Sequence, residues 1–553
     1  MFKLKVLFLT FVLAFLFLLV RLFYLQVLSP KPSTENLYLQ TSKIMPERGK
    51  IFDRSGQPLA VNTTKYLLYL EPKKVDDEYL LIKKLNDVLN IGEATIEAKL
   101  DKSKEWVSVV GNLDKTVKEK ITGLALNGVG FEEMSKRYYP EASLAANLLG
   151  FIGKDYDGND VGYFGVEGYY DKDLIGLPGV FKSERDLLGR PILIGTQEKI
   201  DPENGRDLYL TIDRSIQSIV KTKLEQAMEN YKAKEGCVII ANPKTMETLA
   251  LSCLPDFDPD RYYLFSENEF RNSAISSLYE PGSTFKPLIM AAGIEEKAIK
   301  AEDFYDETGP VAVGEYLIKT WNDKYEGKIS MTKILEKSSN VGMVYIGNKL
   351  GPEKVYEYLK KYGLGELTGI DLQGEVPGYF RSKSQWYPID YATATFGQGI
   401  VASPIQIITA FTSVINGGDL LKPYVVKKIV SDNKENLIKP KTRRKTVSMA
   451  TSAKLRKMLV DTVENGEIKW AKPKGYTFGG KTGTAQIAIK GHYDPSKTIA
   501  SFIGYAPADD PRFIALVVLK EPKSSIWGAE TAAPLFFDIA KDLLVYYNIA
   551  PKP

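Results

Sequence analysis

Val6 to Val20 is a continuous apolar run broken only by Thr10, with Lys3 and Lys5 ahead of it. After Arg21 the apolar character resumes as Leu22-Phe23-Tyr24-Leu25-Gln26-Val27-Leu28. A helix over this stretch reaches roughly 33 Å at about 1.5 Å per residue, enough for one bilayer crossing. The chain must therefore divide into a membrane helix and a body that folds without it. Arg21 lies two turns from the far end, where its stem can carry the charge to the headgroups. A secretory signal would end in a small-residue cleavage site. Here Ser29-Pro30-Lys31-Pro32 follows instead, so the reading is an uncleaved, single-pass anchor. The lysines ahead of it predict an N-terminus inside and the bulk of the chain outside.

The body must use ordinary chemistry. The chain has 553 residues, enough for about three or four domains. Its 73 Lys and Arg oppose 69 Asp and Glu for a net charge of +4, with no basic domain of the kind a dedicated nucleic-acid binder carries. The single histidine, His492, excludes zinc fingers and the HExxH helix, which need at least two. A Ser-His-Asp hydrolase would have to use His492 itself, in Gly491-His492-Tyr493-Asp494-Pro495, which reads as an exposed loop. Two cysteines cannot hold a metal cluster or a disulfide scaffold. Asp155 to Asp160 tempts a calcium reading but lacks the sixth-position glycine and the twelfth-position glutamate. No metal and no cofactor is expected.

Residues 1–28 form the cytoplasmic tip and anchor, and 29–45 a juxtamembrane linker. Residues 46–205 are rich in short β-like runs, such as Tyr66 to Leu70 and Trp106 to Val110. From 206 to 553 the texture changes. Leu208 to Ile212 reads as a strand, and Asp213 as the N-cap of a helix bearing Ile216, Ile219, Val220, Leu224, Ala227 and Met228 on one face. A hairpin follows, Cys237 to Ala241 and Thr248 to Ser252, which sets Cys237 opposite Cys253; the expectation there is two buried free thiols. Gly479 to Gln486, Thr498 to Tyr505 and Phe513 to Lys520 are strand-like, with a closing helix from Thr531 to Tyr547. This order predicts an α+β (mixed α/β) domain, an antiparallel sheet flanked by helices, behind a β-rich pedestal. The basic residues Lys439, Lys441, Arg443, Arg444 and Lys445 read as a solvated loop.

Three short motifs carry chemistry. Pro281-Gly282-Ser283-Thr284-Phe285-Lys286 opens an apolar helix, and the i, i+3 spacing places Ser283 and Lys286 on one face of its first turn. A helix N-terminus favours developing negative charge, and an amine beside the hydroxyl can take its proton. S-x-x-K alone is weak; it recurs at Ser218/Lys221, Ser330/Lys333 and Ser431/Lys434. Ser338-Ser339-Asn340 lies between two helical segments and supplies a hydroxyl and an amide. Ser431-Asp432-Asn433, in a polar loop without flanking helices, is set aside. Lys481-Thr482-Gly483-Thr484 occurs on a strand opened by Gly479-Gly480, where small residues admit a ligand backbone and lysine and hydroxyls suit a carboxylate.

Together, Ser283-x-x-Lys286, Ser338-x-Asn340 and Lys481-Thr482-Gly483 resemble the signature of the penicillin-binding transpeptidases. Arg48-Gly49-x-Ile51-x-Asp53-Arg54-x-Gly56-x-x-Leu59-Ala60 is similar to the opening of the class B pedestal (dimerisation-type) domain. Gly165-Val166-Glu167-x-x-Tyr170-Asp171 and Leu210-Thr211-Ile212-Asp213 look like further landmarks of that family. Arg21-x-x-Tyr24-Leu25-Gln26-Val27 and Ala532-Ala533-Pro534 resemble the division-specific (septal, FtsI-like) branch. The resemblance implies a peptidoglycan D,D-transpeptidase: Ser283 attacks a D-Ala-D-Ala stem peptide, D-alanine leaves, and an amine from a neighbouring stem resolves the acyl-enzyme. It implies that Lys286 is the base, Ser338 the proton relay and Asn340 a substrate-backbone ligand that also orients Lys286. Lys481, Thr482, Gly483 and Thr484 would hold the terminal carboxylate, with the Ser283 and Thr484 N–H groups as oxyanion hole. It also implies covalent inhibition by β-lactams and, since no glycan polymerase pattern is present, partnership with a SEDS-type glycosyltransferase and other cell-wall or division proteins.

Rival readings are an elongation-specific class B enzyme, a serine β-lactamase and a β-lactam sensor or scaffold. A β-lactamase needs a second base for deacylation, and Glu353, Glu357, Glu366 and Glu375 read as surface residues of a helix and the loops after it. A sensor is expected to carry a cytoplasmic effector, and only a few residues precede the anchor.

Overall fold

The structure is a computed structural model, and it describes residues 2–28, 39–184, 197–431, 434–489 and 492–552. The chain divides into two compact units, Met1–Arg48 with Ile175–Gly205, and Gly49–Leu174 with Arg206–Pro553.

In the first unit, helix α1 spans Phe2–Phe23 and buries no residue. The apolar helical stretch runs to Val27, 26 residues in all, long and apolar enough to cross a bilayer. Thr10, its one internal hydroxyl, donates to the Val6 carbonyl at 2.9 Å, the bond such a side chain needs where water is absent. Of the segment read as a linker, residues 29–38 lie outside the described residues. The rest is not irregular: Leu39–Ile44 is a strand, antiparallel to Gly179–Glu184, which in turn pairs with Gln197–Ile200.

In the second unit, the strands Ile51–Phe52, Pro58–Leu70, Val107–Leu113 and Val129–Tyr138 belong to a seven-stranded sheet. That sheet runs across the boundary expected at 205/206, because Ile51–Phe52 pairs parallel with Leu208–Tyr209, and Asp207–Leu210 pairs with Val426–Ser431. The family landmarks sit at this seam as structural ties. Asp53, 2% exposed, accepts from the backbone N–H of Ser55 and Gln57, both at 2.8 Å. Buried Glu167 pairs with Arg137 at 2.7 Å, and Arg137 also donates to the Gly49 carbonyl at 2.7 Å. Tyr170 donates to buried Asp371 at 2.9 Å. Breaking one partner of such a buried pair would leave an uncompensated charge. The Asp155 loop is a hairpin turn whose carboxylate accepts from the N–H groups of Asp157 and Asn159 at 2.9 and 2.8 Å.

The remainder is built on a five-stranded antiparallel sheet. Its strands are β1 (Glu235–Ala241), β2 (Thr248–Leu254), β3 (Gly479–Ile489), β4 (His492–Ala506) and β5 (Phe513–Lys520), in the order β2-β1-β5-β4-β3. Both faces are buried, and the two-residue period shows it on β5. Phe513, Ala515, Val517 and Leu519 pack with Ile216, Val220 and Leu224 of α2 (Arg214–Tyr231) and with Phe536 and Leu543 of the last helix (Ala532–Tyr546). Ile514, Leu516 and Val518 face the opposite way, toward α3 (Lys286–Glu295) and the helix Pro404–Ile415. Asp213 caps α2 as expected, accepting from Ser215 and Ile216. The basic segment is not a free loop. Thr442–Lys445 is a strand paired with Asp419–Leu421, and Arg443 and Arg444 both reach Glu366. Cys237 and Cys253 are register partners 4.1 Å apart at Cα and are joined as a disulfide, where free thiols were expected. His492 is exposed, but it opens β4 opposite Ile489 rather than lying in a loop.

Candidate active site

α3 is buried on all sides, from Lys286 through Ile294, so it is the central helix of its layer. The chain enters it through a tight turn, Gly282–Phe285. Gly282 has φ +56°, and an added Cβ would meet the Ala485 Cβ at 3.3 Å, so the turn requires glycine there. Its N–H donates to the Gly397 carbonyl at 3.0 Å, and Thr284 Oγ1 donates to the Pro281 carbonyl at 2.7 Å. Thr284 and Phe285 are thereby buried while Ser283 stays half-buried, facing a cleft. Among the described residues Ser283 Oγ makes no hydrogen bond, so the Ser283–Lys286 contact is not closed in the free protein.

Lys286 is fully buried. Its Nζ lies 2.6 Å from the Ser338 carbonyl, 3.1 Å from Ser338 Oγ and 2.8 Å from Asn340 Oδ1. All three acceptors are neutral, and among the described residues no carboxylate comes within ion-pair distance. Burial, and secondarily the positive charge of Lys481, hold the amine well below the usual lysine range; Glu467 and Glu307 oppose this.

Ser338 can present its carbonyl and hydroxyl together because of an unusual backbone. It has φ +55°, between α4 (Met331–Glu336) and α5 (Asn340–Leu350), a region costly for a non-glycine residue. The joint is pinned by Ser338 N–H donating to the Leu335 carbonyl (3.2 Å) and Ser339 N–H to that of Ile334 (2.9 Å). Ser339 caps α5, accepting from Gly342 N–H at 2.9 Å and donating to buried Glu307. Asn340 is used at both ends, since its Nδ2 also donates to the Lys319 carbonyl at 3.1 Å.

β3 is the edge strand of the sheet, so its outer backbone groups have no neighbouring strand and can receive an extended ligand. Gly483 is where the Ser283 turn comes closest. A Cβ there would lie 2.4 Å from Ser501 Oγ and 2.8 Å from Thr284 Cγ2. Thr482 and Thr484 alternate toward the cleft; Lys481, 1% exposed, lies behind it with Nζ 3.2 Å from both the carbonyl and Oγ1 of Thr482. Burial pushes its amine down to about 8, against an upward pull from Glu467. Thr484 Oγ1 accepts from the Gly528 N–H at 3.0 Å.

The fold therefore gathers Ser283, Ser338, Asn340, Thr482 and Thr484 around one open cleft. Lys286, Lys481 and Gly483 are buried in its wall. It also brings in Trp321, Phe396, Gln398, Glu467 and Trp527, which the sequence reading did not single out. They come from loops with no motif around them. Trp321 and Trp527 meet edge to face with ring centroids 5.1 Å apart. The rejected Ser431/Lys434 pair closes a hairpin, and Asp432 and Asn433 lie outside the described residues. Glu353, Glu357, Glu366 and Glu375 are each engaged, with Lys383, Lys354, Arg443/Arg444 and the Thr368 backbone respectively. None of them lines the cleft.

Comparison with known proteins agrees with this geometry. Residues 236–541 match the penicillin binding protein transpeptidase domain, and residues 43–210 the penicillin-binding protein dimerisation domain. The chain is 34% identical over 554 residues to stage V sporulation protein D of Bacillus subtilis, covering 98% of this chain and 85% of that protein. It is 30% identical over 551 residues to the peptidoglycan D,D-transpeptidase FtsI of Escherichia coli, covering 98% and 91%. Among solved structures, penicillin binding protein 2X from Streptococcus thermophilus superposes with a TM-score of 0.78 at 25% identity, covering 92% of this chain and 80% of that one. A buried lysine without a counter-ion beside a cleft serine, on a chain matched along nearly its whole length, makes this protein a member of the class B penicillin-binding proteins, the peptidoglycan D,D-transpeptidases.

Proposed function

We propose that the protein cross-links peptidoglycan stem peptides through an acyl-enzyme on Ser283, in septal wall synthesis, from a single-pass anchor with its catalytic domain outside the cytoplasm. The observation that carries this is the Lys286 amine, buried, held by Ser338 and Asn340, and surrounded by neutral acceptors. Kept unprotonated, it can take the Ser283 proton as Oγ attacks the penultimate carbonyl of D-Ala-D-Ala. Its contact with Ser338 Oγ offers a route for that proton to the departing D-alanine amine. The oxyanion would lie against the N–H groups of Ser283 and Thr484, a term often worth several kcal/mol. The donor strand would add to the free edge of β3, with its terminal carboxylate at Lys481, Thr482 and Thr484. Gly483 admits the close approach of strand and turn. A β-lactam would acylate the same serine and stay attached, since none of the carboxylates weighed as a deacylating base, Glu353, Glu357, Glu366 and Glu375, lines the cleft. Glycan strands would come from a SEDS-type glycosyltransferase in the same membrane.

Intact-mass analysis after exposure to penicillin tests the chemistry. A stable adduct lost in Ser283→Ala is expected; an adduct that clears within seconds while hydrolysed drug accumulates would favour a β-lactamase. Protease added to spheroplasts tests topology, since a fully protected large domain would reverse it. A second reading is service in sporulation, favoured by the name of the Bacillus relative. Depletion during vegetative growth separates the two: filamentation fits septal work, whereas normal division with failed spores fits the other.

A further inference from the structure

Glu467 is the one carboxylate among the described residues lining the cleft. It follows directly on α6 (Met449–Asn465), and its neighbours are tightly packed. Gly466 packs so closely that a Cβ would lie 2.2 Å from the Thr462 carbonyl oxygen, and Ile468 is buried, 2% exposed, in the sheet core. Between these packed positions Glu467 is exposed and lines the same cleft as Ser283. Among the described residues its carboxylate has no hydrogen bond or ion pair.

Its charge works against the first half of the reaction. The donor stem arrives with an anionic terminus, which a carboxylate in the same cleft repels. Its field also favours the protonated forms of Lys286 and Lys481, the wrong direction for a base. The ligand that gains from Glu467 is a cation. In this reaction the cation is the acceptor, because a primary alkyl amine with a pKa of about 10.4 is an ammonium at neutral pH.

We infer that Glu467 is the acceptor-binding residue, its carboxylate holding the ammonium of the second stem peptide beside the acyl-enzyme. On transfer that ammonium gives up two protons. One restores the Ser283 hydroxyl as the C–Oγ bond breaks and the C–N bond forms, and the other leaves to solvent. The inference rests on the transpeptidase reading, and the test keeps the two apart.

Full-length wild type and Glu467→Gln are acylated with an N-acyl-D-alanyl thioester and resolved with two nucleophiles at pH 7.5. One is the cationic side-chain amine of Nα-acetyl-lysine amide; the other is hydroxylamine, which is neutral at that pH. The expected result is an acceptor KM about tenfold higher for the lysine amine, consistent with loss of one charge-assisted contact, and a deeper loss in Glu467→Lys. Losing the charge also relieves its pull on Lys286, so penicillin acylation and hydroxylamine transfer should hold or quicken and never slow, which also reports that the variants fold. An equal change for both nucleophiles would reduce Glu467 to a tuner of the lysines, and no change for either would make it a bystander; both overturn the inference alone. A wild type that acylates but yields no aminolysis product overturns the transpeptidase reading and the inference with it.

Discussion

Lys221 on α2 and Lys286 on α3 stand in the same S-x-x-K spacing, both nearly or wholly buried, and their surroundings could hardly differ more. Lys221 Nζ meets Asp256 at 2.6 Å and both the hydroxyl and carbonyl of Ser143, at 2.6 and 2.7 Å. Its serine, Ser218, is exposed on the helix surface. Lys286 has comparable hydrogen bonds but no carboxylate among them, and a second buried lysine nearby. One site satisfies a charge; the other withholds the counter-ion, as the proposed base requires. The lesson is that a motif of this length becomes chemistry only where tertiary structure leaves the cation uncompensated.

The comparison can be broken outright at the serines. Ser283→Ala should lose the penicillin adduct completely, whereas Ser218→Ala and Ser431→Ala should keep it at full stoichiometry by mass spectrometry. At the lysines it becomes a contrast between stability and rate. Lys221→Met removes one partner of a largely buried pair and should cost about 3 kcal/mol in denaturant unfolding, since Asp256 is left behind. The acylation rate of the folded fraction should not move. Lys286→Met should do the reverse, folding while losing acylation.

A finer test is to give Lys286 what Lys221 has. Asn340→Asp places a carboxylate 2.8 Å from its Nζ, which raises the amine's pKa. Because the folded-state pKa is depressed, the neutral base is present above it and lost as pH falls through it. Acylation in the wild type should therefore rise with pH through the depressed Lys286 value and flatten above it. In Asn340→Asp the same rise should move to higher pH, each pKa unit costing about tenfold at fixed pH on the rising limb. A pH–rate profile that does not move would show that something other than Lys286 ionisation limits the rate. The smallest effect belongs to the third S-x-x-K. Ser330 caps α4, and Lys333, a third exposed, pairs at 3.0 Å with the largely buried carboxylate of Glu336. Lys333→Met should cost about 1 kcal/mol, the upper end for a pair whose lysine reaches solvent.

Much of this was legible beforehand because it depends on local pattern. The two-residue period of Phe513 to Lys520 announces a strand whatever lies around it, and Asp213 before an apolar-faced run announces a helix start. What was missed lies where distant segments meet. Arg443 and Arg444 read as a solvated loop because Glu366, their partner, is far away in the chain. Cys237 and Cys253 were placed opposite one another correctly, but their bonding depends on the geometry of a hairpin held by β5 on its other side. Ser339 is the unassigned middle position of Ser338-x-Asn340, and its work as the cap of α5, hydrogen-bonded to Glu307, depends on residue 307 arriving beside it.

The sequence by itself determined the long apolar helix, the order of the elements and the three polar motifs, because apolar length, periodicity and residue type act over a few neighbouring positions. Tertiary structure alone decided which buried lysine is left without a counter-ion. That choice depends on what is absent around Nζ, and only packing brings in or keeps out a carboxylate. It also decided the positive φ of Ser338, which turns a carbonyl and a hydroxyl onto one amine, and the arrival of Glu467 and the two tryptophans at the cleft. These are properties of chain segments remote in sequence, and no local pattern encodes them.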